Sequence, residues 1–121
     1  MQGYKVVVKG ESRFASRRKI GKLYSAVTSG EGQVEYKVGE QVHPQKGCGP
    51  LCVFSSIEAA QQYIGNSILS DIRNRHCSTI YLCDYVPDEL NISVWTVTRS
   101  GLIPDITGTI LAKSVRIIKE I

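Results

Sequence analysis

Residues 49–64, GPLCVFSSIEAAQQYI, constrain the fold more than any other part of this chain. Leu51 to Phe54 is an unbroken apolar run of the length of one buried strand, and a helix follows it with no room for a loop. Ser55 and Glu58 stand in the S-x-x-E spacing of a capping box, which places the helix start near Ser56. On such a helix Ile57, Ala60, Ile64, Ile68 and Ile72 make an apolar stripe, with Tyr63 beside it. Gly65 interrupts that stripe, because glycine costs about 1 kcal/mol in a helix interior relative to alanine. A break or kink is therefore expected there, with Asn66 or Ser67 capping a second short helix through Arg73.

The rest of the pattern is largely β. Residues 3–9, GYKVVVK, are a compact β-branched run and predict a first strand. Residues 23–28 predict a second. The Ser-Gly-Glu-Gly cluster at 29–32 supplies a turn, and Val34, Tyr36 and Val38 alternate with Glu35 and Lys37. These features together predict a β-hairpin closed by Gly39. Residues 41–50, with Pro44, Pro50, Gly47 and Gly49, read as a loop. Further strands are predicted over 79–85 (TIYLCDY), 92–98 (ISVWTVT) and 115–119 (VRIIK), and 109–113 reads as a short strand or a single turn. Most connections are too short for parallel crossovers. The expected architecture is α+β: a mostly antiparallel, curved or barrel-like sheet of about six to seven strands packed on one central helical segment.

At 121 residues the chain suits a single domain spanning 1–121. A chain this long buries roughly two thirds of its unfolded surface, enough for a core without metal or disulfide staples. Met1 to Gly10 carries no apolar segment of signal-peptide length, and no run approaches the ~18 apolar residues of a membrane span. A cytoplasmic location is expected, in the host cell if the chain is phage-encoded, and no membrane partner. Cys48, Cys52, Cys77 and Cys83 should then be reduced. The net charge of +4 suits an anionic partner without demanding one.

Four features bear on chemistry. Cys48 and Cys52, with His76 and Cys77, approach the ligand count of a zinc site. Cys52 and Cys83, however, lie in apolar strands where free cysteine acts as a small hydrophobe, so no metal is expected. Asp84, Asp88, Glu89 and Asp105 are the carboxylates available for acid–base work, but Asp88 and Glu89 follow Pro87 in a turn and read as solvated. The chain has no G-x-S-x-G, P-loop or G-x-G-x-x-G, so neither a cofactor nor catalysis is called for. The basic segment Arg13, Arg17, Arg18, Lys19 and Lys22 can neutralise phosphates, against the plainer reading of a solvated loop. The one good helix has a polar, acidic outer face, so nucleic acid is the less favoured partner. The helix start presents Ser55 and Ser56 hydroxyls and backbone N–H groups after the Phe54 ring, a place for an anion beside a base. Trp95 and Arg99, four residues apart, share a strand face and suit a planar anionic ligand. The candidate ligand residues are thus Phe54, Ser55, Ser56, Trp95, Arg99, Arg17 and Arg18.

The hairpin V-x-Y-x-x-G (34–39) and the strand–helix L-x-V-F-x-S-x-E-x-A (51–60), with the strand 80–85 after them, resemble a family of small proteins of phages and mobile elements. The resemblance covers about residues 23–85 and implies fold more than activity. Some small phage proteins of this size bind and sequester nucleotide-derived immune signals of the host. That similarity implies a non-enzymatic, oligomeric protein for a cyclic-nucleotide or ADP-ribose-like ligand. The strand followed by S-x-E-x-A is also similar to the split core of ADP-ribosyltransferase-like folds, which would imply an NAD-using enzyme. The chain departs from that pattern in lacking strand-borne His or Arg paired with a downstream glutamate, Glu120 being terminal. A protein-interaction inhibitor is the third reading.

Overall fold

The computed structural model describes residues 1–9, 22–25, 34–46, 48–65, 78–89 and 107–121. They form seven strands and one helix: β1 (Gln2–Lys9), β2 (Leu23–Ser25), β3 (Glu35–Tyr36), β4 (Gln41–Val42), β5 (Leu51–Phe54), α1 (Ile57–Gly65), β6 (Ser78–Pro87) and β7 (Thr109–Glu120). Every pairing among these strands is antiparallel.

Four strands close into a ring. The long strand β6 pairs β1 along Gln2 to Val8 on one edge and β7 on the other. The strand β5 joins the remaining edges of β1 and β7, at Tyr4↔Phe54 and over Leu51↔Ala112 to Phe54↔Thr109. It reaches only the N-terminal part of both strands. Beyond it β2 takes the edge of β1 at Val7 to Lys9, β3 pairs β2, and β4 takes the edge of β7 at Val115 and Arg116. The strands β3 and β4 belong to one run, 34–42, which crosses the gap that β5 leaves. It breaks at Gly39, whose φ of 86° a glycine adopts without strain and whose amide donates to the Ile117 carbonyl at 2.9 Å.

Two apolar layers follow from the period-2 alternation. Val6 and Val8 of β1, with Cys52 and Phe54 of β5, share a cluster with Ala59, Ala60 and Tyr63 of α1. Val7, Leu51, Val53, Cys83, Tyr85, Val115 and Ile117 point the other way and share the second cluster with Val34 and Tyr36. Because both faces of β1 and β5 are covered, these strands read as continuous apolar runs rather than as alternating ones.

Several expectations are corrected in detail. The buried face of α1 is Ala59, Ala60 and Tyr63, with Ile57 and Ile64 half-buried. The small alanines let the helix approach the strands, and the Tyr63 ring packs on Phe54 with centroids 5.6 Å apart. The cap moves by one residue. Ser56, not Ser55, accepts the Ala59 amide at 3.1 Å through its Oγ, while the Ser55 amide donates to the Gly108 carbonyl at 2.8 Å. Gln41 and Val42 are a strand rather than loop because the free edge of β7 pairs them. Residues 109–113 and 115–119 belong to one twelve-residue strand. The hairpin pairing holds at Leu23↔Tyr36 and Tyr24↔Glu35, and Val34 and Tyr36 face the core as the alternation requires. Val38 breaks that alternation and is 56% exposed at the turn. The strand expected over 92–98, the turn at 29–32 and the helix beyond Gly65 lie outside the described residues.

Candidate functional site

Lys5 is the buried cation among the described residues. Alternation along β1 puts it on the same face as Val7, inside the ring, where it is 1% exposed. Its Nζ donates to the Cys52 carbonyl at 2.6 Å and lies 5.3 Å from the centre of the Tyr36 ring. Burial pulls its pKa below the ordinary lysine value, with the nearby Cys52 and Cys83 sulfurs acting in the opposite sense. The thiols respond to the same burial: Cys52 and Cys83 are each pushed up to about 11, with Lys5 opposing. Burial also raises the Tyr36 phenol, whose hydroxyl has no hydrogen-bond partner among the described residues. The interior therefore favours a neutral amine, neutral thiols and a neutral phenol.

On the outer surface the chain forms an open cavity of about 350 Å³. It sits where β6 and β7 lose register: a bulge between Val86 and Pro87 leaves Lys113 unpaired between Ser114 and Ala112. Ser114 pairs Val86 on the regular side of that bulge, and period 2 along β7 puts it on the face of Arg116, where it lines the cavity. Ser114 is buried and accepts Gln41 Nε2 at 2.9 Å, which fastens β4 there. Asp84 and Arg116 are cross-strand partners, and Arg116 donates to Asp84 Oδ2 at 2.9 Å. Their side chains are 37% and 51% exposed, so the pair is open to solvent. That bond engages one terminal nitrogen of the guanidinium, leaving donors free among the described residues. Tyr85 and Val86 of β6, Gly39 of the 34–42 run and Met1 complete the lining. Met1 and Val86 are exposed apolar residues, and so is Val38, next to Gly39. The cavity thus sets hydrogen-bonding side chains beside apolar ones.

The residues selected from the sequence fare differently. Phe54 is fully buried against Tyr63, so its ring does not stand free at the helix start. The Ser56 hydroxyl is engaged as the cap, and it is half-buried. Ser55 is exposed, with its Oγ so close to Gly108 that a Cβ there would come within 2.6 Å. Arg17, Arg18, Trp95 and Arg99 lie outside the described residues. His43 is exposed, Cys48 half-buried, and Cys52 and Cys83 are buried, while His76 and Cys77 lie outside the described residues. Among the described residues no three metal-ligating side chains gather. No helix among them is long and apolar enough to cross a membrane. Glu120 is exposed near the end of β7 and is not part of the cavity lining.

Gln41, Ser114 and Arg116 escape a reading of the sequence, and Asp84 stands out there only as one of several carboxylates. Alternation does set Arg116 apart from Val115 and Ile117, and Asp84 apart from Cys83 and Tyr85. Nothing local says that Asp84 and Arg116, 32 residues apart, stand side by side. Comparison with protein-family models, with curated proteins and with solved structures finds no match to this chain.

Proposed function

We propose that this protein binds and sequesters, without catalysis, a nucleotide-derived small molecule of the kind that serves as a host defence signal, and that the cavity beside Arg116 holds it. The observation that carries this reading is the convergence of Arg116, Asp84, Gln41 and Ser114 next to exposed Met1 and Val86 in a cavity of about 350 Å³. A base and sugar need such a combination: hydrogen-bonding groups for their edges and an apolar wall for a ring face. The net charge of +4 favours the approach of a phosphate-bearing ligand. The helix start is the weaker location, since its cap hydroxyl and its aromatic ring are both engaged in the fold.

Thermal-shift and native mass-spectrometric screening of the full chain tests the reading. The panel is cyclic mono- and dinucleotides, nucleoside monophosphates and ADP-ribose. A true ligand at about 100 times its Kd stabilises the fold by about 2.7 kcal/mol, a shift of several degrees. No shift and no adduct with any of them at millimolar concentration contradicts the proposal. Conversion of the ligand on long incubation would contradict sequestration and favour an enzyme.

A further inference from the structure

We infer that the Asp84–Arg116 pair reads the edge of a guanine base. This rests on the reading of the cavity as a nucleotide site and adds which part of the nucleotide faces the pair. Arg116 donates to Asp84 Oδ2 at 2.9 Å, which leaves a guanidinium N–H beside Oδ2 and Oδ1 as the other oxygen of the carboxylate. Taken in that order the three groups are donor, acceptor and acceptor. Cytosine presents the same order to guanine in a base pair. The complementary edge carries an acceptor followed by two donors, as in the O6, N1–H and N2–H of guanine. Adenine offers a donor where guanine has its carbonyl, and it would set an N–H against the guanidinium.

A phosphate seated on Arg116 is the obvious alternative. It would gain attraction from the guanidinium and suffer repulsion of similar size from the Asp84 carboxylate a few ångströms away, so the ion pair as a whole selects weakly for an anion. A neutral edge that accepts from one partner and donates to the other uses both. Val86, 46% exposed beside the pair, offers an apolar wall to the ring face.

The pair also predicts a change of specificity. In Asp84→Asn the amide must turn its oxygen to Arg116, because the guanidinium only donates. The amide nitrogen then takes the outer position, where it meets the substituent on C2 of the purine. Guanine carries a donor there, and xanthine carries a carbonyl.

Isothermal titration of the full chain with GMP, IMP, XMP, AMP and ribose 5-phosphate tests this, on the native chain and on Asp84→Asn. On the native chain GMP should bind about 10- to 100-fold more tightly than AMP, with IMP, which lacks the N2 amine, between them. Asp84→Asn should lose GMP affinity, gain XMP affinity and leave AMP unchanged, with an unaltered melting temperature. A merely structural carboxylate would weaken all five ligands alike. Equal affinity for GMP and AMP overturns the guanine assignment while leaving the cavity a nucleotide site. Ribose 5-phosphate binding as tightly as GMP overturns it too, in favour of phosphate recognition. If none of the five binds, both the assignment and the nucleotide reading fall.

Discussion

Lys5 and Arg116 are both cations on the long strands of one small barrel, and the barrel treats them in opposite ways. Lys5 lies inside the ring, 1% exposed, with one carbonyl to donate to and an aromatic ring beside it. Arg116 lies outside, half-exposed, with a carboxylate partner and donors to spare. The first environment drives its cation toward the neutral amine. The second keeps its charge in water, where an exposed ion pair is worth only about 0–1 kcal/mol to stability. The difference teaches where to look for function. A buried amine is an expense to folding that the surrounding apolar contacts must offset. An exposed pair with unfilled hydrogen-bonding capacity costs little and remains free to meet a ligand.

If that division is right, changes to the interior should move stability and changes to the cavity should move binding. The largest effect is expected from Phe54→Ala. The ring is fully buried, packs on Tyr63 and joins the helix to β1 and β5, so its loss should cost about 3–5 kcal/mol by urea denaturation. A loss below 1 kcal/mol would show that the helix is not held by this contact.

Lys5→Met sharpens the comparison through pH. The folded pKa of Lys5 lies below its unfolded value of 10.5, so between the two the unfolded chain binds a proton that the folded chain does not. The stability of the native chain should therefore rise with pH relative to the variant through that window, by up to about 1.4 kcal/mol per pH unit. Cys52 and Cys83 work in the opposite direction. With folded values of about 11 against 9.0, they keep protons that the unfolded chain has lost, so their contribution falls between pH 9 and 11. The native chain should show these slopes partly cancelling above pH 9. Lys5→Met should show the falling slope alone, and equal pH profiles for the two chains would mean that Lys5 stays charged in the core.

The smallest effect on stability is expected at the cavity. Arg116→Ala removes one exposed ion pair and should change the unfolding free energy by less than about 1 kcal/mol, while weakening nucleotide binding at least tenfold. A loss of stability comparable to that of Phe54→Ala would make the pair structural and erase the distinction between the two regions.

What could be read from the sequence was local. The run from Leu51 into the helix and the pairing of 23–24 with 35–36 are specified by neighbours in the chain, and both are present. The cap slipped from Ser55 to Ser56 because adjacent serines offer the same hydroxyl. What separates them is a bond from the Ser55 amide to Gly108, 53 residues away. The strand β4 has no periodicity in its two residues and exists because β7 leaves an edge open. Lys5 was legible in principle, since period 2 places it on the face of Val7 within a run buried on both sides. The cavity was not legible, because it depends on the register of β6 and of β4 against β7, which no single segment announces.

The most direct test of the central claim is an amide NMR map during titration of the full chain with GMP. If the outer cavity holds the ligand, the shifted amides should gather at Gly39, Gln41, Asp84, Ser114 and Arg116, with Lys5 and Ser55–Ile57 unmoved. Shifts centred on Ser55–Ile57 at the helix start, or on Lys5 inside the barrel, would contradict it.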